Sequence, residues 1–78
     1  MADYTYRQGQ YLAYIYLHDK LHRQAPSEAE IQRYFNVTPP AVHDMILTLE
    51  KKKLIARTPG APRSIRVLVP KDQLPELA

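Results

Sequence analysis

Positive charge is concentrated in one part of this sequence, between Lys51 and Lys71. This segment contains seven Lys and Arg residues and no Asp or Glu, whereas residues 1–50 carry four basic and six acidic side chains. Cations at this density can bind polyanions, because a focused field attracts charged ligands within a Debye length of roughly 10 Å. The alternative interpretation is a solvated cationic surface that has no ligand.

Two histidines are the other residues whose spacing could support chemistry. His18 and His22 are four positions apart and would share one face of a helix, but a zinc site needs a third and a fourth ligand and no obvious set converges on them. Ser27 and Ser64 belong to no motif that would pair a hydroxyl nucleophile with a histidine. We therefore predict no metal, no cofactor and no enzymatic activity.

Length and composition indicate one small soluble domain. A chain of 78 residues buries only about 60% of the surface that its unfolded form exposes, which leaves no room for a second, catalytic domain. The absence of cysteine fits an intracellular protein, and no stretch approaches the roughly 20 apolar residues of a membrane-spanning helix. We expect a domain over residues 1–70 and a flexible tail over residues 71–78.

The first predicted element is an amphipathic helix from about Thr5 to Gln24. Ala25 and Pro26 end it, because the residue before a proline is displaced toward extended geometry. Apolar and aromatic side chains recur along this helix at steps of three and four residues. They are Tyr11, Leu12, Tyr14, Ile15, His18 and Leu21.

A second helix is predicted from Ser27 to about Tyr34. Ser27 and Glu30 have the spacing of a capping box, in which each side chain accepts a hydrogen bond from the backbone amide of the other residue. Asn36 then stands where a residue with left-handed backbone would end the helix. The short connection that follows predicts a helix-turn-helix.

Thr38 is predicted to cap a third helix that has Pro39 at its first position and Pro40 at its second. Neither proline has an amide, so the threonine hydroxyl can cap only onto Ala41, and anion binding by this helix tip should be weak. Four apolar residues are expected to form the buried stripe of this helix. They are Val42, Met45, Ile46 and Leu49.

The hydrophobic period changes from helical to extended after the third helix. The runs 54–57 and 65–69 are predicted to pair as a hairpin, with Ile65, Val67 and Val69 facing inward. Between these runs, residues 58–64 form an exposed loop that is rich in turn-forming residues. The predicted fold is therefore mainly α with a small antiparallel β-hairpin, in the order of a three-helix winged helix-turn-helix.

The sequence resembles the DNA-binding domain of the LexA repressor family over most of its length. The resemblance is carried by four segments in their order and spacing: TYRQ at 5–8, AEI at 29–31, the Thr38-Pro39 helix start, and PGAPRSIRVL at 59–68. It implies sequence-specific binding of double-stranded DNA, as a transcriptional regulator in the cytoplasm of a bacterial cell, associated with the nucleoid. The self-cleaving peptidase domain of that family has no counterpart in these residues.

The resemblance also implies roles for individual residues. The helix over residues 38–53 would enter the major groove, and the wing over residues 57–66 would touch the phosphate backbone. The base-reading positions would be Thr38, Pro40, Ala41, His43 and Asp44. The family places an asparagine and two acidic residues along this stretch, so the different residues here predict a different target sequence.

Five cations are predicted to contact phosphate. They are Lys51, Lys52, Arg57, Arg63 and Arg66. The arginine fork suits phosphate oxygens. For the two lysines the alternative is a structural role, since cations at a helix C-terminus stabilise it by about 0.3 to 1 kcal/mol each.

Tyrosine is abundant in the first sixteen residues, which contain five of the six tyrosines of the chain. Tyr4, Tyr6 and Tyr16 could form an aromatic patch that contacts a second copy or another protein. The alternative function is therefore a winged-helix module that binds protein. Partial burial of these side chains, with their hydroxyl groups in water, is the interpretation that requires no partner.

Overall fold

The computed structural model describes residues 3–78, so Met1 and Ala2, with which the predicted domain begins, lie outside the described residues. The helices are α1 (Tyr6–His22), α2 (Glu28–Phe35) and α3 (Pro39–Lys51), and the strands are β1 (Ile55–Ala56) and β2 (Arg66–Val67). The strands pair antiparallel. The predicted arrangement of three helices followed by a hairpin is confirmed, and the fold is a winged helix.

The N-terminus of α1 has a capping box that the sequence analysis did not identify. The Thr5 hydroxyl accepts from the Gln8 amide at 3.2 Å, and the Gln8 side chain accepts from the Thr5 amide at 3.0 Å. The helix ends at His22, two residues before the predicted end. Arg23 adopts left-handed backbone, with φ of 57°, and its amide donates to the Asp19 carbonyl.

The predicted helix-turn-helix is formed by α2 and α3. The Ser27–Glu30 capping box is confirmed, with its two hydrogen bonds at 2.9 and 3.1 Å. Asn36 ends α2 with φ of 54°, which is the left-handed geometry that the sequence predicts. Thr38 caps α3 through the Ala41 amide at 3.3 Å.

Aromatic rings join α1 to α2. The rings of Tyr11 and Phe35 stack with their centroids 4.2 Å apart and their planes within 1°, and Tyr14 stacks on Tyr34 at 4.4 Å. Burial, and then the negative charge of Glu30, raise the pKa of the Tyr14 hydroxyl above its ordinary value. Because aromatic pairs contribute about 0.5 to 1.5 kcal/mol beyond the area that they bury, these contacts hold α2 firmly on α1.

The remaining core is aliphatic and receives side chains from every helix and strand region. Its members are Leu12, Ile15, Ala25, Ile31, Val42, Ile46, Leu49, Leu54, Ile55, Ile65 and Val69, with Tyr11 completing the cluster. The predicted stripe of α3 is confirmed, although Met45 is only half-buried. Within residues 3–78, no helix combines the length and apolar character that would be needed to cross a membrane.

A left-handed lysine ends α3. The Leu54 amide donates to the Leu49 carbonyl at 3.0 Å and the Lys53 amide donates to the Glu50 carbonyl at 3.0 Å, which together form a Schellman turn. This turn requires positive φ at Lys53, which is 62°. This conformation has a free-energy cost for a residue with a Cβ, and it would have none for glycine.

The hairpin is shorter than predicted. Only residues 55–56 and 66–67 are strand, with Ile55 opposite Val67, and one further bond runs from the Leu68 amide to the Leu54 carbonyl at 2.9 Å. The predicted alternation is confirmed. Arg66 and Leu68 are exposed, whereas Ile65 and Val69 are buried and Val67 is half-buried. The wing, predicted over residues 57–66, comprises the two strands and their loop in the structure, and we use the name for residues 55–67 from here on.

The segment predicted as a flexible tail lies against α1. Residues 71–73 form one 3-10 turn, and the Tyr4 hydroxyl donates to the Gln73 carbonyl. The Gln10 side chain, which is 7% exposed, donates to the Glu76 carbonyl at 2.9 Å and accepts from the Ala78 amide at 2.7 Å. The flexibility of this segment and the domain boundary at residue 70 stay predictions.

Glycine is required where this segment meets α1. A Cβ on Gly9 would lie 2.7 Å from the Tyr4 ring and 3.1 Å from the Pro75 ring. Both distances are shorter than ordinary carbon contacts of about 3.5 to 4.0 Å. Gly9 therefore allows Tyr4 and the C-terminal segment to pack against the helix, in spite of the low helix propensity of glycine.

We predict that Lys53→Gly stabilises the domain. Relief of the left-handed strain, less the entropy that glycine adds to the unfolded chain, should contribute up to about 1 kcal/mol and raise Tm by up to about 4 to 8 °C. Lys53→Ala is the matched control, because it removes the same charge and keeps the strain. Equal Tm values for the two variants in thermal unfolding would contradict the prediction.

Candidate nucleic-acid interface

The N-terminal half of α3 presents a mixed polar and apolar face to solvent. Val42, Ile46 and Leu49 are buried against the core, which fixes the rotation of the helix about its own axis. The opposite face is therefore turned outward. All five predicted base-reading residues are exposed there or at the helix start: Thr38, Pro40, Ala41, His43 and Asp44.

The tip of α3 has no backbone amide available for an anion. Pro39 and Pro40 have none, and the Ala41 amide donates to the Thr38 hydroxyl. The Val42 amide then makes the first intrahelical bond, to the Thr38 carbonyl at 3.2 Å. The predicted capping onto Ala41 is confirmed, and its consequence is that this helix end lacks the free N–H groups with which helix N-termini usually bind phosphate.

His43 lies beside an acidic residue of α2. Its Nδ1 is 3.4 Å from Oε1 of Glu28, and 53% of its side chain is exposed. This contact favours a ring in which Nδ1 carries a hydrogen. In the neutral ring, Nε2 is then an acceptor that points away from Glu28.

The exposed face of α3 continues one turn beyond the predicted set. The Thr48 hydroxyl donates to the main-chain carbonyl of Asp44 at 2.9 Å. Among residues 3–78, the Asp44 carboxylate forms no ion pair. Leu47 is 41% exposed and lies four positions after His43. The sequence analysis did not include Leu47 in the base-reading set, although helical spacing was the signal that could have identified it.

Two of the five predicted phosphate ligands carry unpaired charges. Arg66 projects from β2 and Lys51 from the end of α3, and both are exposed. Within the described part of the chain, neither side chain forms an ion pair or a hydrogen bond with another residue. These two cations can therefore meet a polyanion without first losing a contact within the protein.

Two others have polar partners on the protein. Nζ of Lys52 donates to the Gln8 side chain at 2.9 Å, which joins the end of α3 to the start of α1. Nε of Arg57 donates to Glu50 at 3.0 Å, which joins the base of the wing to α3. The terminal nitrogens of Arg57 remain as further donors, because a guanidinium has five N–H groups.

Arg63 is held against α2. Its Nη1 donates to Oε1 of Glu30 at 2.6 Å and to the Ala25 carbonyl at 3.2 Å. The amide of Ser27, and then the hydrogen bond from Arg63, lower the pKa of the Glu30 carboxyl from 4.5 to about 2. The sequence analysis predicted neither the contact nor its partner, because these residues are 33 positions apart.

The three tyrosines of the predicted aromatic patch have different surroundings. Tyr4 packs on Gly9 and bonds to Gln73, Tyr6 is 72% exposed, and Tyr16 is half-buried. Because Tyr6 and Tyr16 are ten positions apart in one helix, they lie about 15 Å apart along its axis. A protein partner at this surface stays a prediction.

His18 and His22 have close rings, with centroids 4.5 Å apart. Nδ1 of His18 bonds to the Gln24 carbonyl at 3.0 Å, and its Nε2 lies 3.6 Å from Glu30. Among the residues that the structure describes, no group of three or more His, Cys, Asp or Glu side chains could hold a metal ion.

Comparison with known proteins identifies the family. The sequence model of the LexA DNA binding domain matches residues 1–64. The chain belongs to this family. Membership of this family supports DNA binding as the general role of the domain.

Curated relatives are LexA repressors. The protein from Thermosipho africanus is 35% identical over 68 residues, which cover 87% of this chain and 34% of the relative. Those from Thermotoga petrophila and Thermotoga maritima are 39% and 37% identical over 67 residues, covering 86% of this chain and 34% of each relative. The chain thus spans about a third of the length of these relatives.

We predict that Glu30 contributes to acid unfolding of the domain. A carboxyl whose folded pKa is lowered stabilises the native state fully above its unfolded value, and this contribution is lost as the pH falls. The loss should occur between about pH 4.5 and about pH 2. Urea unfolding of Glu30→Gln should therefore show a smaller fall in stability over this range than the unsubstituted domain, and an identical fall would contradict the prediction.

Proposed function

We propose that this domain binds double-stranded DNA in a sequence-specific manner and acts as a transcriptional repressor. The observation that carries the proposal is the third helix of a LexA-type domain, which buries Val42, Ile46 and Leu49 and exposes the whole opposite face. In the proposed complex this face enters the major groove, and the wing lies along the phosphate backbone.

Base recognition is assigned to the exposed side chains of α3. The Asp44 carboxylate can accept from the amino group of cytosine, and Nε2 of His43 can accept from an amino group while Nδ1 faces Glu28. Ala41 offers a methyl group for contact with thymine, and Leu47, one turn after His43, offers a second apolar side chain. Thr38 and Pro40 would contact the edge of the groove at the helix start.

Phosphate contact is assigned first to Arg66 and Lys51, whose charges are unpaired. Arg57 can bind phosphate through its terminal nitrogens while Nε stays on Glu50. Lys52 would exchange the neutral Gln8 side chain for a charged oxygen, which is a stronger acceptor. These contacts would orient the domain on the duplex without reading its sequence.

Repression would require two copies of the domain on neighbouring half-sites. A single module of this size buries only about 600 to 1,000 Å² of surface on DNA. Half-sites separated by about one helical turn would allow two reading helices to enter successive major grooves on the same side of the duplex. The relatives named as repressors are about two and a half times as long as this chain, so a dimer contact outside these residues is part of the proposal.

We predict that duplex binding weakens steeply with salt and that Arg66→Ala reduces this dependence. Each phosphate that a cation neutralises adds about 0.9 to the slope of log K against log salt concentration, so the substitution should lower the slope by about 0.9. Fluorescence anisotropy with a labelled duplex over a salt series measures both quantities. Affinity for all sequences should fall to a similar extent.

Lys20→Ala is the matched control for this experiment. It also removes one positive charge, but from α1 and outside the proposed contact set. Its slope should equal that of the unsubstituted domain. An affinity that does not depend on salt, or no binding at low salt, would exclude the proposed function.

We predict that Asp44→Asn and His43→Ala each change the preferred DNA sequence. The amide of asparagine can donate as well as accept, so the preference for cytosine should be relaxed at one position, at a cost of about 1 to 3 kcal/mol in discrimination. Selection from a random duplex pool, followed by sequencing, measures the preference of each variant.

Asp19→Asn serves as the control for this selection, because it makes the same chemical change on the exposed surface of α1. It should select the same sequences as the unsubstituted domain. If Asp44→Asn and His43→Ala also select those sequences, α3 does not read the bases through these side chains.

A further inference from the structure

The far end of the wing contacts the start of α2. Arg63 reaches across from the wing loop, and one of its terminal nitrogens donates to both Glu30 and the Ala25 carbonyl. Beside this contact, a cleft of about 310 Å³ separates the wing loop from residues 26–28. The loop therefore approaches α2 at Arg63 and stands away from it elsewhere.

Glu30 is a fixed anchor for this contact. Its Oε1 accepts from the Ser27 amide at 2.9 Å, and its own amide donates to the Ser27 hydroxyl. Its other oxygen, Oε2, lies 3.6 Å from His18 of α1. Because the carboxylate is part of the helix cap, an arginine bound to it is held in a defined place relative to α2.

The wing has few other contacts that could fix its far end. Its strands pair over only two residues each, and a hairpin of this length is marginally stable without further packing. The Ser64 hydroxyl closes the loop by accepting from the Thr58 amide and donating to the Thr58 carbonyl. These bonds lie within the wing, so they do not connect it to the helices.

The backbone of Arg63 has a left-handed conformation. Its φ is 55°, in the left-handed region that residues with a Cβ seldom adopt. The side-chain bonds to Glu30 and Ala25 are contacts that can offset the cost of this conformation.

We propose that Arg63 is a positioning residue, which binds Glu30 to fix the wing against α2 and so sets where Arg66 meets the DNA backbone. The inference rests on the proposed DNA binding and replaces the predicted role of Arg63 as a phosphate ligand. A phosphate at the Arg63 guanidinium would also approach the Glu30 carboxylate, which repels it. The bound carboxylate thus offsets the attraction of this cation for DNA.

The two roles predict opposite effects for Glu30→Gln. Glutamine can keep the capping box, as Gln8 does at the start of α1, so the variant should fold. If Arg63 were a phosphate ligand, loss of the neighbouring negative charge would strengthen DNA binding. If Arg63 positions the wing, its hydrogen bond to the neutral glutamine is weaker than its bond to the glutamate, and the wing is held less firmly. Affinity for DNA should then fall, although the substitution removes a negative charge.

The experiment measures duplex affinity over a salt series for Glu30→Gln, Arg63→Ala and the double variant. We expect affinity to fall roughly 3- to 10-fold in each, with the slope of log K against log salt concentration unchanged and the double variant no weaker than Arg63→Ala. A slope that falls by about 0.9 in Arg63→Ala overturns the proposal. Binding by Glu30→Gln that is unchanged or tighter also overturns it.

A measurement without DNA separates this inference from the proposed function. Backbone heteronuclear NOE values for Gly60, Ala61 and position 63, the loop residues here that have an N–H, should decrease in Arg63→Ala and in Glu30→Gln, because the loop loses its contact with α2. Arg66→Ala is the control and should leave these values unchanged. If the unsubstituted domain binds no duplex, the proposed function fails, whereas unchanged NOE values in both variants overturn the positioning role itself.

Discussion

The attachment of α2 to α1 is the constraint on which the rest of the structure depends. Tyr11 stacks on Phe35 at the last residue of α2, directly before the left-handed turn at Asn36. This contact fixes the end of α2, the turn fixes the direction of α3, and the buried stripe of α3 fixes its rotation. The exposed face of α3 is therefore determined by packing on the side of the domain that does not face DNA in the proposed complex.

The elements that could be predicted from the sequence are those with local causes. The Ser27–Glu30 capping box, the left-handed Asn36 and the Thr38-Pro39 helix start each depend on residues within four positions of one another. The alternation of the second strand has the same local character, and all of these predictions are confirmed. The exposure of the predicted reading residues follows from them, since a helix with one buried stripe must expose the other side.

What could not be predicted depends on residues that are distant in the sequence. The hydrogen bonds of Arg63 span 33 and 38 positions, and those of Gln10 to the C-terminal segment span 66 and 68. A basic residue in a loop has the same sequence pattern whether it faces solvent or a carboxylate. Composition therefore indicated a cationic wing correctly but could not distinguish the unpaired Arg66 from the paired Arg63.

The two prolines at the start of α3 affect how the position of this helix along the DNA groove would be fixed in the proposed complex. When the first backbone N–H groups of a recognition helix bind a phosphate, this contact fixes the position of the helix along the groove. Here Pro39 and Pro40 have no amide, and the Ala41 amide is already bonded to Thr38. In the proposed complex, the position of α3 along the groove then depends on side-chain contacts, including those of the wing, so a change in the wing can shift the position at which an unaltered α3 meets the bases.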